Sequence, residues 1–63
     1  MENNFTQHML PVFGITWNWF STEAEAKAFM IWAEEITKND INPCEAYWCG
    51  WNGEGYEVKV KNW

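Results

Sequence analysis

The hydrophobic pattern changes period once between Phe13 and Lys38, and this change restricts the fold more than any other feature of the chain. Phe13, Ile15, Trp17 and Trp19 alternate with Gly14, Thr16 and Asn18, the period of two expected of a strand with one buried face. The pattern predicts a strand over Met9 to Phe20, with Pro11 near its start, where a missing N–H disturbs a ladder least. Ser21-Thr22-Glu23-Ala24-Glu25 then resets the register. Ser21 or Thr22 can cap a first turn, Thr22 and Glu25 have the spacing of a capping box, and Glu23 and Glu25 complement the positive end of a helix dipole. A helix over about Thr22 to Lys38 follows. Ala26, Phe29, Ala33 and Ile36, with Trp32 beside them, form one stripe at helical spacing. Glu23, Lys27, Met30, Glu34 and Lys38 form the opposite stripe, in which Glu23–Lys27 and Glu34–Lys38 can pair at i, i+4.

Asn39 to Pro43 ends the helix, since Asn tolerates a left-handed cap and proline cannot continue the helix. Cys44 to Trp51 and Tyr56 to Lys61 read as two further strands around Asn52-Gly53-Glu54-Gly55, a strong hairpin turn. The order is β-α-β-β, an α+β class. With the third strand between the other two, all neighbours are antiparallel and the helix covers one face of a three-stranded sheet. Residues 1–8 read as a polar arm anchored by Phe5, and residues 9–63 as a single domain. The expected buried layer is Phe13, Ile15, Trp17, Trp19, Tyr56, Val58 and Val60 against Phe29, Ala33 and Ile36. Trp63 closes the last strand.

One helix cannot cover both faces of a sheet, so the second face is where a partner can bind. Alternation places Thr16, Asn18, Glu57, Lys59 and Lys61 there. Strand two is open to two registers: if Glu45 points to water, Tyr47, Cys49 and Trp51 go with it, and a one-residue shift exchanges the faces. Aromatic content matters at this point. Six tryptophans, four phenylalanines and two tyrosines in 63 residues exceed what so small a core can hide, and rings left outside are suited to gripping a partner.

Charge narrows the partner. Nine carboxylates against four lysines, with no arginine, leave a net charge of -5. That balance disfavours direct binding of nucleic acid or an anionic membrane, both of which call for clustered cations. A sheet with exposed rings can also stack on single-stranded nucleic acid or sugar, but the positive groove that nucleic acid requires is missing. Cys44 and Cys49 lie five apart on one strand, about 16 Å at roughly 3.3 Å per residue, beyond the roughly 4.4–6.8 Å that a disulfide spans. They and His8 fall short of a zinc ligand set. His8 also has no partner in the sequence for general-base work. No phosphate loop precedes a helix, and no cofactor is expected. The chain reads as a non-enzyme.

These readings predict a small, acidic, non-catalytic protein-binding module. In size and charge it is similar in general character to phage- or plasmid-borne inhibitors of host and defence proteins, anti-CRISPR proteins among them. The resemblance implies occlusion of a basic, nucleic-acid-binding surface of a host protein. The candidate anchors are Tyr47, Trp48, Trp51 and Met30, with Glu34, Glu35, Asp40 and Glu54 as acidic complements. The alternatives are a homodimer built through the exposed aromatic face, in a structural or regulatory role, and an aromatic platform for single-stranded nucleic acid or sugar. The N-terminal residues lack the basic start and apolar run of a secretory signal, and no stretch approaches the roughly 20 apolar residues of a membrane span. A cytoplasmic setting is expected, in the host cell if the chain is phage-encoded.

Overall fold

The computed structural model describes residues 5–62. Its elements are β1 (Gly14–Phe20), α1 (Glu23–Thr37), β2 (Glu45–Trp51) and β3 (Tyr56–Asn62), preceded by a 3-10 helix over Gln7–Met9. β3 lies between β1 and β2 and is antiparallel to both. α1 packs on one face, more over β2 and β3 than over β1, which is the α+β, β-α-β-β arrangement predicted from the pattern. Residues 1–4 of the arm, and Trp63, lie outside the described residues. Among the described residues no helix is long and apolar enough to cross a membrane.

β1 is shorter than expected and begins at Gly14. Ahead of it, the Asn62 side-chain amide donates to the carbonyl oxygens of Pro11 at 3.0 Å and Val12 at 3.3 Å. That side-chain clasp holds the strand entrance where Pro11 has no amide to give to a ladder.

α1 starts at the anticipated cap: the Glu25 N–H donates to Thr22 Oγ1 at 3.1 Å. Glu23 and Lys27 pair at 2.8 Å, whereas Lys38 pairs with Glu35 at 3.0 Å instead of Glu34. Glu34 is turned towards β2, where its carboxylate accepts the Ala46 N–H at 3.2 Å. The buried stripe is Ala26, Phe29, Ala33 and Thr37, so Ile36, expected inside, is 41 % exposed. Thr37 holds that place because its hydroxyl donates to the Ala33 carbonyl at 2.7 Å and accepts the Cys44 N–H at 3.0 Å. Met30, assigned to the solvated stripe, packs half-buried on the core.

Phe29 is fully buried at the centre of that core, among Phe20, Ala26, Cys44, Val58 and Val60. Its ring lies 5.0 Å from Phe20, 5.2 Å from Phe5 and 5.8 Å from Trp32, between centroids. Burial of such a ring stabilises by roughly 1.5–3 kcal/mol. Phe5, Met9 and Leu10 pack half-buried against this core, and Thr16 Oγ1 donates to the Met9 carbonyl at 3.2 Å.

The face of β1 is the reverse of the one expected from its hydrophobicity. Thr16, Asn18 and Phe20 stand opposite Val60, Val58 and Tyr56 on the helix side, while Ile15, Trp17 and Trp19 stand opposite Lys61, Lys59 and Glu57 on the uncovered side. Phe20 is one residue out of phase with the tryptophans, and burying it against Phe29 turns them outward. The helix presents Ala26, Phe29 and Ala33 to the sheet, and the large aromatic side chains of this layer are Phe29, Phe20 and Phe5 rather than the β1 indoles. Phe13, also assigned to the core, is 82 % exposed ahead of the strand.

In β2 neither single register holds throughout. Glu45 and Tyr47 stand opposite Lys61 and Lys59 on the uncovered face, and Ala46 and Trp48 stand opposite Val60 and Val58 on the helix side. A bulge between Trp48 and Gly50 then shifts the ladder, so that Gly50 faces Glu57 and Trp51 faces Tyr56. Gly50 has φ +87°, a conformation that costs glycine little and other residues more. The hairpin closes through Asn52, whose Oδ1 accepts the N–H groups of Glu54 and Gly55, both at 3.0 Å.

Candidate functional site

The sheet register assembles one row across all three strands: Trp17 of β1, Lys59 of β3 and Tyr47 of β2. The Lys59 ammonium lies 5.8 Å from the Trp17 ring centroid and 5.0 Å from that of Tyr47. A cation between two ring faces gains electrostatic attraction from both, about 0.5–1 kcal/mol each at an exposed site. Ile15, Lys61 and Glu45 form the next row, and Trp19, Glu57 and Gly50 the row on the other side.

Two properties follow from these rows. First, Trp17 and Trp19 are 49 % and 52 % exposed, side by side on a face that no other element of the described residues covers. Indoles left half in water are stabilised by any partner that buries them. Second, the charges of this face balance: Glu45 and Glu57 stand with Lys59 and Lys61. Among the described residues the acidic surplus therefore lies on α1 and the connecting segments. Within the face, the Tyr47 hydroxyl donates a hydrogen bond to the Glu45 carboxylate at 3.0 Å. That bond is the main cause holding the phenol above its ordinary pKa, with desolvation and the Glu45 and Glu34 charges adding to it.

A second feature opens on the opposite side, between α1 and β2. Lys27, Met30, Ile31, Glu34 and Trp48 line an open cleft of about 320 Å³. The Lys27 ammonium lies 5.4 Å from the Trp48 ring, and Trp48 stacks on Tyr56 at 6.0 Å.

The residues singled out from the sequence divide between these places. Tyr47 is on the uncovered sheet face. Met30, Glu34 and Trp48 meet in the cleft, with Trp51 nearby, 60 % exposed and edge-on to Tyr56 at 5.1 Å. Glu35 pairs with Lys38 on the outside of the helix. Asp40 follows the helix, its N–H donating to the Thr37 carbonyl at 2.9 Å, and Glu54 sits in the β2–β3 turn. Trp17 and Trp19, expected in the core, stand outside it. The signal that could have placed them is the phase of Phe20 relative to the tryptophans.

Cys44 is buried and Cys49 exposed, both as free thiols. Burial raises the Cys44 pKa above the ordinary value, Asp40 adds to the rise, and the Thr37 hydrogen bond opposes it. Among the described residues no group of three or more His, Cys, Asp or Glu side chains is placed to hold a metal ion. No protein-family model, curated protein or solved structure matches the chain.

Proposed function

We propose that this chain is a non-catalytic protein-binding module that docks through the uncovered face of its sheet. The observation that carries the reading is the pair Trp17 and Trp19, half-exposed beside Ile15 and flanked across the sheet by Lys59 and Tyr47. Large aromatics on a firm strand scaffold are the side chains that dominate interface energies, and their entropy cost on binding is low.

The partner that suits this face is a protein with a basic surface. A net charge of -5 steers such a partner at long range without acids having to lie inside the contact. In the setting that size and charge resemble, that of phage- or plasmid-borne inhibitors, the chain acts by occlusion: the rings seat on the target and block a surface otherwise used for nucleic acid. The acids of α1 lie on the helix side of the sheet, with Glu34 bonded to the β2 edge. Their part in this reading is in association rate more than in the seated contact.

The test is affinity capture from the cell of origin with the wild-type chain, Trp17→Ala, Trp19→Ala and Trp51→Ala. A captured protein whose affinity falls by roughly 30-fold or more in either of the first two variants, the size of an interface hot spot, and holds in Trp51→Ala supports the sheet face. Equal capture by all four chains rejects it.

A further inference from the structure

The two edges of the sheet are treated differently by the sequence. On the β2 edge, the Ala46 N–H is taken by Glu34 at 3.2 Å, Glu45 supplies a charge and the bulge at Trp48/Gly50 breaks the ladder. These are three of the devices by which proteins blunt an exposed strand. β1, over Gly14–Phe20, has none of them: no charged residue, no proline and no bulge.

The direction of its backbone groups follows from the alternation of an antiparallel ladder. The Ala46 N–H points away from β3, towards Glu34, so Glu45 and Tyr47 are the residues of β2 that bond Lys61 and Lys59. At the turn, the Asn52 N–H donates to the Gly55 carbonyl at 3.1 Å, which fixes the same parity from the other end. Val58 and Val60 therefore bond towards β1, to Asn18 and Thr16. The Phe20 carbonyl agrees: it lies so close to Gly55 that a Cβ there would come within 3.0 Å of it. By the same alternation, the N–H and C=O groups of Ile15, Trp17 and Trp19 point outward from the sheet. The arm reaches β1 from the helix side, through Thr16, and among the described residues no backbone hydrogen bond is made to these outward groups.

We infer that the β1 edge pairs with β1 of a second copy of this chain, antiparallel about Trp17, to form one continuous six-stranded sheet. Two observations select a second copy as the occupant. β1 is uncharged in a chain of net charge -5, so it is the edge at which like-charged copies meet with least repulsion. It is also self-complementary: a two-fold axis through Trp17 sets Ile15 opposite Trp19 of the other copy and Thr16 opposite Asn18. Apolar side chains then meet on the uncovered face and polar ones on the helix side, and the pairing is isologous. The aromatic faces of the two copies merge into one platform. This inference does not depend on the partner reading above, because edge pairing leaves the sheet face open.

Sedimentation of the full chain from micromolar to millimolar concentration tests it, alongside a chemically synthesised chain carrying an N-methyl group on the Trp17 amide. The methyl group removes the outward donor and leaves every side chain in place. Two controls accompany it: Ile15→Lys, which charges the edge, and Tyr47→Arg, which disturbs face-to-face stacking together with the local contacts to Glu45 and Lys59 and leaves the β1 edge unaltered. Circular dichroism confirms that each variant folds. The expected result is a wild-type dimer whose Kd rises at least about tenfold on N-methylation and rises with Ile15→Lys, with no change in Tyr47→Arg. A wild-type chain that stays monomeric overturns the proposal and leaves the edge to an extended segment of another protein. A dimer that survives both N-methylation and Ile15→Lys, or one that Tyr47→Arg abolishes, overturns it as well.

Discussion

The Glu34 carboxylate and the Ala46 N–H are joined at 3.2 Å across the gap between α1 and β2. The contact closes a donor on an edge strand and draws Glu34 away from Lys38, which pairs with Glu35 instead. Helix and sheet are thereby tied at the rim of the α1–β2 cleft. The bond is exposed, so Glu34→Ala is expected to lower stability by no more than about 1 kcal/mol, read from the urea midpoint. The specific signature is local: faster hydrogen exchange at the Ala46 amide, with Glu34→Gln, which keeps an acceptor, between the two. Unchanged exchange at Ala46 in Glu34→Ala would show that the carboxylate does not hold this edge.

Thr37 is a different case, because its hydroxyl is buried and doubly engaged, with Ala33 and with the Cys44 N–H. Thr37→Val keeps the shape and leaves the Cys44 N–H without a partner inside the protein. The expected loss is about 1–3 kcal/mol, with Thr37→Ser recovering most of it. Chemical denaturation of the three chains measures this, and equal midpoints for Val and Thr would refute the assignment.

The order of elements and the cap at Thr22 are legible in the sequence because they are written in local codes: period, capping box and turn residues. The central place of β3 follows only on the condition that all neighbours are antiparallel, which the sheet meets. The orientation of β1 is not. Alternation shows that one face differs from the other, and hydrophobicity favours burying Ile15, Trp17 and Trp19, but the choice is made by Phe20, Phe29 and Phe5 packing together. That contact joins residues from three separate segments, and no window along the chain contains it. The β2 bulge is hidden for a similar reason. Gly50 marks where a bulge can form, and only the pairing of Trp51 with Tyr56 shows that it does. The candidate site therefore keeps the uncovered face anticipated from the fold and changes the tryptophans that occupy it.

Tyr47 offers a titration that reports on the sheet face. Its hydroxyl donates to Glu45, and its pKa is raised chiefly because losing the proton breaks that bond, and further because it sets a phenolate beside a carboxylate. A raised folded-state pKa means that the fold favours the protonated phenol. The stabilising contribution is complete below the ordinary tyrosine value and is lost as pH rises through the raised one, so it affects alkaline conditions only. In a Tyr56→Phe background, where Tyr47 is the remaining tyrosine, Glu45→Gln is expected to move the tyrosinate absorbance midpoint down. A midpoint that stays in place or rises would exclude Glu45 as the cause.

The thiols should separate by reactivity. Cys49 is exposed and open to alkylation at neutral pH. Cys44 is buried under α1 with its pKa raised by burial, and since the thiolate is the attacking species, both access and ionisation slow it. Reaction at Cys44 requires the helix and β2 to part, and should run roughly a hundredfold or more slower than at Cys49. Mass spectrometry of iodoacetamide-treated chain is expected to show one rapid addition that Cys49→Ser removes, and a second that urea restores to full speed. Should Cys44 in the Cys49→Ser chain react as fast in buffer as in urea, the packing of α1 over Cys44 would be wrong, and the Thr37–Cys44 hydrogen bond would be wrong with it.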